Sequence, residues 1–116
     1  MADLPTHLVD LQRRVNAARM DVETHRKEVD KRRVQEADDA DKARKAAGEE
    51  VPEVPRWARR LPEWTAEDDA KHMDLMAAVI EAAAALRAGV IADPGASPDY
   101  KTAQALHGAA RVSAEE

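Results

Sequence analysis

The sequence predicts an all-α protein: a long N-terminal coiled-coil-like helix packed as an antiparallel helical hairpin with a second helix, plus a short C-terminal helix. Three observations support this fold class. Alanine, the strongest helix former, occupies 25 of the 116 positions. Side chains that favour sheets are scarce, with two isoleucines, one tyrosine and no phenylalanine. The apolar residues also recur at helical spacing over long stretches.

The clearest periodicity lies in the first segment, residues 1–47. Apolar residues step by three and four through three heptads there, and His25 is the one polar member of the series. The members of this seam are Leu8, Leu11, Val15, Ala18, Val22, His25 and Val29. A heptad seam predicts a coiled-coil contact, so we expect it to join copies of the chain as a homo-oligomer, most simply a dimer.

The helix that carries the seam has recognisable ends and a regular polar face. Thr6 or Asp3 supplies its N-cap, Pro5 is tolerated in the first turn, and Gly48 provides the stop. Five acids each stand four residues before a base, the order that stabilises a helix. These pairs are Asp10/Arg14, Glu23/Lys27, Glu28/Arg32, Asp38/Lys42 and Asp41/Lys45. A helix over about residues 5–47 is roughly 65 Å long at 1.5 Å per residue.

Residues 48–64 form a connector in which three prolines prevent a continuous helix. It holds both tryptophans and a cluster of arginines, which we treat as a possible partner anchor: Arg56, Trp57, Arg59, Arg60 and Trp64. Tryptophan and arginine are enriched at binding hot spots. The simpler interpretation is that both tryptophans fold over the end of the bundle while the arginines reach outward. An anionic membrane or a nucleic acid is a third interpretation.

Residues 65–112 predict an alanine-rich helical hairpin segment. Thr65 and Asp68 resemble a capping box that opens a second helix over about 66–91. Its apolar face is wide and needs two neighbours to cover it. That face comprises Met73, Leu75, Met76, Val79, Ile80, Ala82, Ala83, Leu86 and Val90. At roughly 39 Å, this helix is too short to cover the first one.

A third helix is expected after the break at Asp93, Pro94 and Gly95. Ser97 and Pro98 are a typical N-cap and first helical position. The narrow apolar stripe of this helix consists of Tyr100, Ala103, Leu106 and Ala110, and the helix is expected to end near Val112. Residues 113–116 are expected to be a disordered tail.

Charge argues against most nucleic-acid binders. The chain has 18 basic and 23 acidic residues, and the net charge of −5 resides in residues 65–116. A local basic cluster in residues 26–45 nevertheless keeps one alternative open, a small DNA-associated regulator that uses this part of the first helix. The cluster contains Arg26, Lys27, Lys31, Arg32 and Arg33, and it is interrupted by Glu23, Glu28, Asp30 and Glu36.

Membrane insertion and secretion are not expected. The most apolar stretch, residues 75–92, contains Glu81 and Arg87, and each central charge costs about 2.5–3.5 kcal/mol in a bilayer. The start of the sequence has no basic region followed by an apolar run, and cysteine is absent. We therefore expect a cytoplasmic protein. Alanine richness and an excess of arginine over lysine suit a bacterial source.

Catalytic and metal chemistry have little support. There is no cysteine, the two serines lack a glycine-flanked elbow, and no phosphate-loop glycine motif occurs. Two acid and histidine sets could each share one helix face, as ligands do in helical bundles. They are Asp68, Asp69 and His72, and Asp21, His25 and Glu28. Acids at a helix start are more simply explained by capping, so we expect no enzyme activity, no metal and no cofactor.

The function expected from these features is non-enzymatic. The chain is predicted to be a protein-protein interaction or scaffold protein that self-associates, or engages another protein, through its long helix. It would suit a component of a larger bacterial or phage assembly. Within the seam, His25 could fix the register of association or make it sensitive to pH.

Overall fold

The computed structural model describes residues 4–93 and 100–115, which form three α-helices with an irregular connector between the first and the second. Helix α1 spans Thr6–Ala46, α2 spans Ala66–Ala92 and α3 spans Tyr100–Glu115. A single 3-10 turn, Arg56–Ala58, interrupts the connector. No strand occurs within these described residues. The predicted all-α class, with one long helix and two shorter ones, is confirmed.

Gly48 ends α1 as predicted. Its φ of 84° lies in the left-handed region, which suits a residue without a Cβ atom. The Gly48 amide donates to the Lys45 carbonyl at 3.1 Å, and the Glu49 amide donates to the Arg44 carbonyl at 3.0 Å. This bond pattern is that of a Schellman motif, which satisfies carbonyls left open at a helix end.

Helix α3 runs further than the sequence predicts. It continues to Glu115, three residues beyond the expected end at Val112, so residues 113–115 are helical rather than a tail. Ser113, Ala114 and Glu115 include no glycine or proline that would stop a helix. Several expected features lie outside the described residues. They are the cap at Asp3, the break at Pro94 and Gly95, the helix start at Ser97 and Pro98, the tail residue Glu116, and the side chain of Tyr100.

The chain divides into two compact units. Unit 1 consists of Met1–Val22 and Met73–Glu116, and unit 2 consists of Glu23–His72. Each unit contains part of α1 and part of α2, while α3 belongs to unit 1 and the connector to unit 2.

The core of unit 1 is small. Leu8, Val90 and Leu106, one from each helix, are buried together. Four partly buried apolar side chains surround them: Leu4, Val9, Leu11 and Leu86. At Gly89 the backbone of α2 approaches α1 so closely that an added Cβ would lie 2.8 Å from Leu11 Cδ1 and 3.1 Å from Leu8 Cδ2. The absence of a Cβ atom at Gly89 therefore permits the close packing of these two helices.

Gly89 and Gly108 are both helical but differ in the space around an added Cβ atom. Gly108 in α3 has nothing within 4 Å of an added Cβ, so Gly108→Ala should stabilise the chain by about 1 kcal/mol through helix propensity alone. Gly89→Ala receives the same propensity gain but forces Leu11 and Leu8 to move, because 2.8 Å is too short for two carbon atoms. Urea unfolding should therefore show a smaller gain, or a loss, for Gly89→Ala. Equal gains would contradict the close approach.

Candidate interaction surfaces

The heptad seam is buried by the chain itself. Leu8 and Val15 are buried in unit 1, and His25 and Val29 are buried in unit 2. The other seam members, Leu11, Ala18 and Val22, are half-buried. A heptad pattern predicts that one face of a helix is buried, but the residues that bury it can belong to the same chain. The seam is thus a core element of each unit and offers little free surface to a second copy.

Asp68 is the centre of a polar cluster in unit 2. Its side chain is buried and accepts hydrogen bonds from both terminal guanidinium nitrogens of Arg32, the bond from Nη1 measuring 2.8 Å. The Thr65 amide donates to Asp68 Oδ2 at 2.9 Å, and the Asp68 amide donates to Thr65 Oγ1 at 3.1 Å. This reciprocal pair is the capping box that the sequence predicts at the start of α2.

The environment of Asp68 favours its charged form. The hydrogen bond from Arg32 holds the pKa of Asp68 well below its ordinary value, and the bond from the Thr65 amide lowers that pKa further. Burial acts in the opposite direction but is outweighed. The same pair raises the pKa of Arg32. Asp68 is therefore a structural carboxylate that remains ionised, which suits an anchor between helices better than a proton-transfer group.

Aromatic and imidazole rings pack beside this cluster. The Trp64 ring contacts both His25 and His72 edge-on, with centroid distances of 5.6 and 5.5 Å, and the two histidine rings are stacked at 6.5 Å. His25 Nε2 lies 3.0 Å from the Asp68 backbone carbonyl, so its N–H donates there in the corresponding tautomer. His72 Nδ1 is buried and has no hydrogen-bond partner among the residues that the structure describes. These contacts fix the end of the connector against α1.

The two acid and histidine sets are not arranged as metal sites. The Asp68 carboxylate is engaged by Arg32 and Thr65, and Asp69 is exposed. In the second set, His25 Nε2 is used by a carbonyl, while Asp21 and Glu28 are exposed. Over residues 4–93 and 100–115, no group of three histidine, aspartate or glutamate side chains is placed to hold one ion.

The two tryptophans of the connector have different environments. Arg59 is half-buried and forms ion pairs with Asp38 at 2.7 Å and Asp41 at 3.0 Å, and Arg33 donates to the Pro62 carbonyl. These bonds attach the connector to the second half of α1. Trp64 packs inward, but Trp57 is 88% exposed, so the expectation that both tryptophans fold over the bundle applies to Trp64 alone. Arg56 and Arg60 are also exposed.

One face of α2 in unit 1 is apolar and uncovered. Met73, Ile80 and Ile91 are 68%, 66% and 63% exposed, and Met76 is also exposed. Met73 and Ile91 are 18 residues apart, which is five helical turns, so they lie on one line along the helix. We call this set, together with the exposed Ala77 and Ala84 between them, the α2 face. The sequence predicts a wide apolar surface on this helix, and the structure covers only one side of it.

The same helix satisfies a simple criterion for a membrane span. Among the described residues, α2 is long and apolar enough to cross a bilayer, with an 18-residue window of mean hydropathy 1.8 of which 6% is buried. The criterion considers only length and composition. It shows how little of this apolar helix the chain itself covers.

The basic cluster of α1 is largely engaged with acids. Arg26 and Lys27 lie 3.9 and 4.0 Å from Glu23, and Arg33 lies 3.1 Å from Asp30. Arg32 contacts both Asp68 and Glu36. A phosphate would have to displace these carboxylates or share the cations with them.

Comparison with protein families, with curated proteins and with solved structures finds no match to this chain. Three surfaces of the chain are candidates for binding: the α2 face, the outer side of the connector and the basic cluster of α1.

Replacing Thr65 should weaken the start of α2. In Thr65→Ala the Asp68 amide loses its acceptor, and we expect the free energy of unfolding to fall by about 1 kcal/mol, typical for an N-cap. Thr24→Ala is the matched control, since Thr24 is exposed within α1 and alanine is the better helix former. Urea unfolding followed by circular dichroism measures both. A loss in Thr65→Ala no greater than in the control would contradict the capping role.

Because the pKa of Asp68 is lowered in the folded chain, the free energy of unfolding should depend on pH in the acidic range. Because the folded pKa lies below the unfolded value of about 3.9, the stabilisation from Asp68 is complete above about pH 5 and is lost as the pH falls toward the folded pKa. Between about pH 5 and 2, Asp68→Asn should therefore show a shallower fall in unfolding free energy than the parent chain. Asp69→Asn, at an exposed neighbour, should retain the parent slope. Equal slopes for the parent and Asp68→Asn would contradict the assignment.

Proposed function

We propose that this chain is a non-enzymatic interaction protein whose α2 face binds an amphipathic helix of another protein. The observation that carries the proposal is the exposure of Met73, Ile80 and Ile91 along one line of α2. Several large apolar residues exposed on one helix face are typical of a binding surface, whereas a single exposed one is not. Burying a side chain such as Ile80 contributes about 1.5–3 kcal/mol, so a partner that covers this line gains substantial affinity.

The small residues on the α2 face favour a helix as the occupant. Ala77 and Ala84 separate the larger side chains, and small side chains let two helix axes approach closely. Methionine adds adaptable contact area, since its side chain is flexible and polarisable. A partner helix with large residues opposite the alanines would fit between the methionine and isoleucine side chains in the manner of knobs and holes.

Charge favours a protein partner over a lipid surface. Helix α2 contains five acids and two bases, Lys71 and Arg87, whereas helices that lie on anionic membranes are rich in lysine and arginine on their polar face. The acids Asp74 and Glu81 are exposed along one edge of the α2 face, and Arg87 is exposed near the opposite edge. A complementary helix would therefore carry basic residues along the edge that meets Asp74 and Glu81.

The DNA-associated alternative gains less support. Its basic residues Arg26, Lys27, Arg32 and Arg33 are engaged by acids of the same unit, and the chain carries a net charge of −5. Phosphate contacts would make binding fall steeply with salt. A weak affinity for random duplex DNA that changes little between low and moderate salt would agree with the interaction proposal.

A synthetic peptide probe tests the proposed surface. The probe is an amphipathic helix with leucines and alanines on one face and lysines along one edge, carrying a fluorophore for anisotropy measurements. We expect binding to the full chain, and at least a tenfold weaker affinity, about 1.4 kcal/mol, for Ile80→Glu. Ala85→Glu is the matched control, because Ala85 is exposed on the same helix but about 140° around the axis from Ile80. It should bind like the parent chain.

Two further measurements distinguish a basic partner helix from an acidic helix and from a lipid surface. A probe with glutamates in place of the lysines should bind more weakly, because it meets Asp74 and Glu81 with like charge. Lipid vesicles, zwitterionic and anionic, are tested by co-sedimentation with the same chain. Equal binding by Ile80→Glu and the parent, or partition into vesicles without peptide binding, would contradict the proposal.

A further inference from the structure

The charges of the connector have an order that is independent of the α2 face. Residues 49–60, the pairing segment, begin with three acids and end with three bases. The acids are Glu49, Glu50 and Glu53, and the bases are Arg56, Arg59 and Arg60. Reversed about its midpoint between Val54 and Pro55, the segment places each acid opposite a base. Position 49 then meets position 60, position 50 meets 59, and position 53 meets 56.

Most of the pairing segment is exposed, and most of its charged side chains form no ion pair within the described residues. Glu49, Glu50, Glu53, Arg56 and Arg60 are exposed. In the part of the chain that the structure describes, none of these five forms an ion pair. Glu53 and Arg56 are close in sequence but do not pair with one another. The segment therefore presents both signs of charge outward.

The segment also carries an apolar anchor. Trp57 is 88% exposed and Val54 is 50% exposed. The same reversal about the midpoint places Trp57 opposite Pro52, and a proline ring is a flat, rigid apolar surface for an aromatic ring. Trp57 follows Pro55, whose backbone is extended with φ −56° and ψ 148°, and lies in the 3-10 turn. The backbone that carries Trp57 is thus a defined turn, while its side chain remains exposed.

Arg59 attaches the basic half of the pairing segment to α1. It is the one base of the three that turns inward, where its hydrogen bond with Asp38 raises its pKa and its pair with Asp41 adds to that effect. The bond from Arg33 to the Pro62 carbonyl attaches the chain two residues beyond the same end of the segment, so the basic half is held against α1. A segment attached in this way loses less conformational entropy when it binds than a free loop does.

We infer that two copies of this chain associate through the pairing segment, residues 49–60, in antiparallel orientation about a twofold axis between Val54 and Pro55. In this arrangement Glu49 and Glu53 meet Arg60 and Arg56 of the second copy, and Trp57 packs on Pro52 of the second copy. The contact is isologous, because each copy contributes the same residues. Glu50 gains least, since Arg59 of the second copy is already paired with its own Asp38 and Asp41.

Charge complementarity selects this occupant and this orientation. A parallel arrangement in register would set acids against acids and bases against bases, which is destabilising. Each exposed ion pair contributes little affinity, so the ion pairs fix the register while burial of Trp57 provides most of the affinity. A second copy is the one partner whose sequence is certain to present the reversed order of charges.

Charge exchange between two variants tests the proposal. Glu49→Arg/Glu53→Arg makes the pairing segment basic, and Arg56→Glu/Arg60→Glu makes it acidic. Sedimentation equilibrium should show a dimer for the parent chain at micromolar concentration and at least a tenfold larger dissociation constant for each variant alone. An equimolar mixture of the two variants should recover a heterodimer, because opposite charges again face each other. Circular dichroism checks that each variant keeps its helices.

Two single substitutions complete the test. Trp57→Ala should raise the dissociation constant at least tenfold without loss of helix, because this side chain is exposed in the isolated chain. Glu63→Arg is the matched control, an exposed acid of the connector outside the pairing segment, and it should associate like the parent. The proposal is overturned by a monomeric parent chain, by variants that dimerise undiminished, or by a mixture that stays monomeric. Loss of the dimer in Ile80→Glu instead of the connector variants would also overturn it and would assign self-association to the α2 face.

Discussion

The fold depends on a limited supply of large apolar side chains, most of which must be buried by the chain itself. Leucine, valine and isoleucine together number 19 of 116 residues, and one face of α1 holds a substantial share of them. In unit 1 that face is covered by Val90 and Leu106. In unit 2 its continuation, His25 and Val29, lies beside a polar and aromatic cluster instead. The two units thus bury the same seam by different chemistry.

Unit 2 compensates for its scarcity of aliphatic side chains with directional contacts. Asp68 accepts hydrogen bonds from Arg32 and Thr65 through its carboxylate and from His25 through its backbone carbonyl. A buried carboxylate is costly unless its oxygens are satisfied, and here the bonds that satisfy it also join α1, the connector and α2. Removing any one of these partners leaves charge or polar groups uncompensated, which is more harmful than the loss of a single contact.

Local features could be predicted from the sequence because their causes are local. Gly48 ends α1 because the left-handed backbone there requires a residue without a side chain, and Thr65 caps α2 because its hydroxyl is three residues from Asp68. The helix-face pairs were less predictable. Of the expected pairs, Glu23 with Lys27 is present, but Asp38 and Asp41 turn to Arg59 instead of Lys42 and Lys45.

The candidate surfaces depend on which side chains the folded chain leaves exposed, and a local sequence pattern does not show this. The heptad seam predicts a buried face, yet the sequence does not state whether the same chain or another one covers it. Trp57 and Trp64 occupy one short connector with similar neighbours, and only the fold shows that Trp64 meets His25 and His72 while Trp57 faces outward. For α2 the pattern identifies a wide apolar face. The exposure of Ile80 follows from how few neighbours the folded chain can provide.

The connector shows how one internal contact determines what remains available outside. Arg56, Arg59 and Arg60 are chemically alike, but Arg59 is drawn inward by two carboxylates of α1. That contact attaches the basic half of the segment to α1, and its neighbours Arg56 and Trp57 are left on the outer side. If Arg59 faced outward as well, the segment would be both more basic and less ordered, and docking would cost more entropy. The internal ion pair therefore sets both the charge pattern and the rigidity of the external surface.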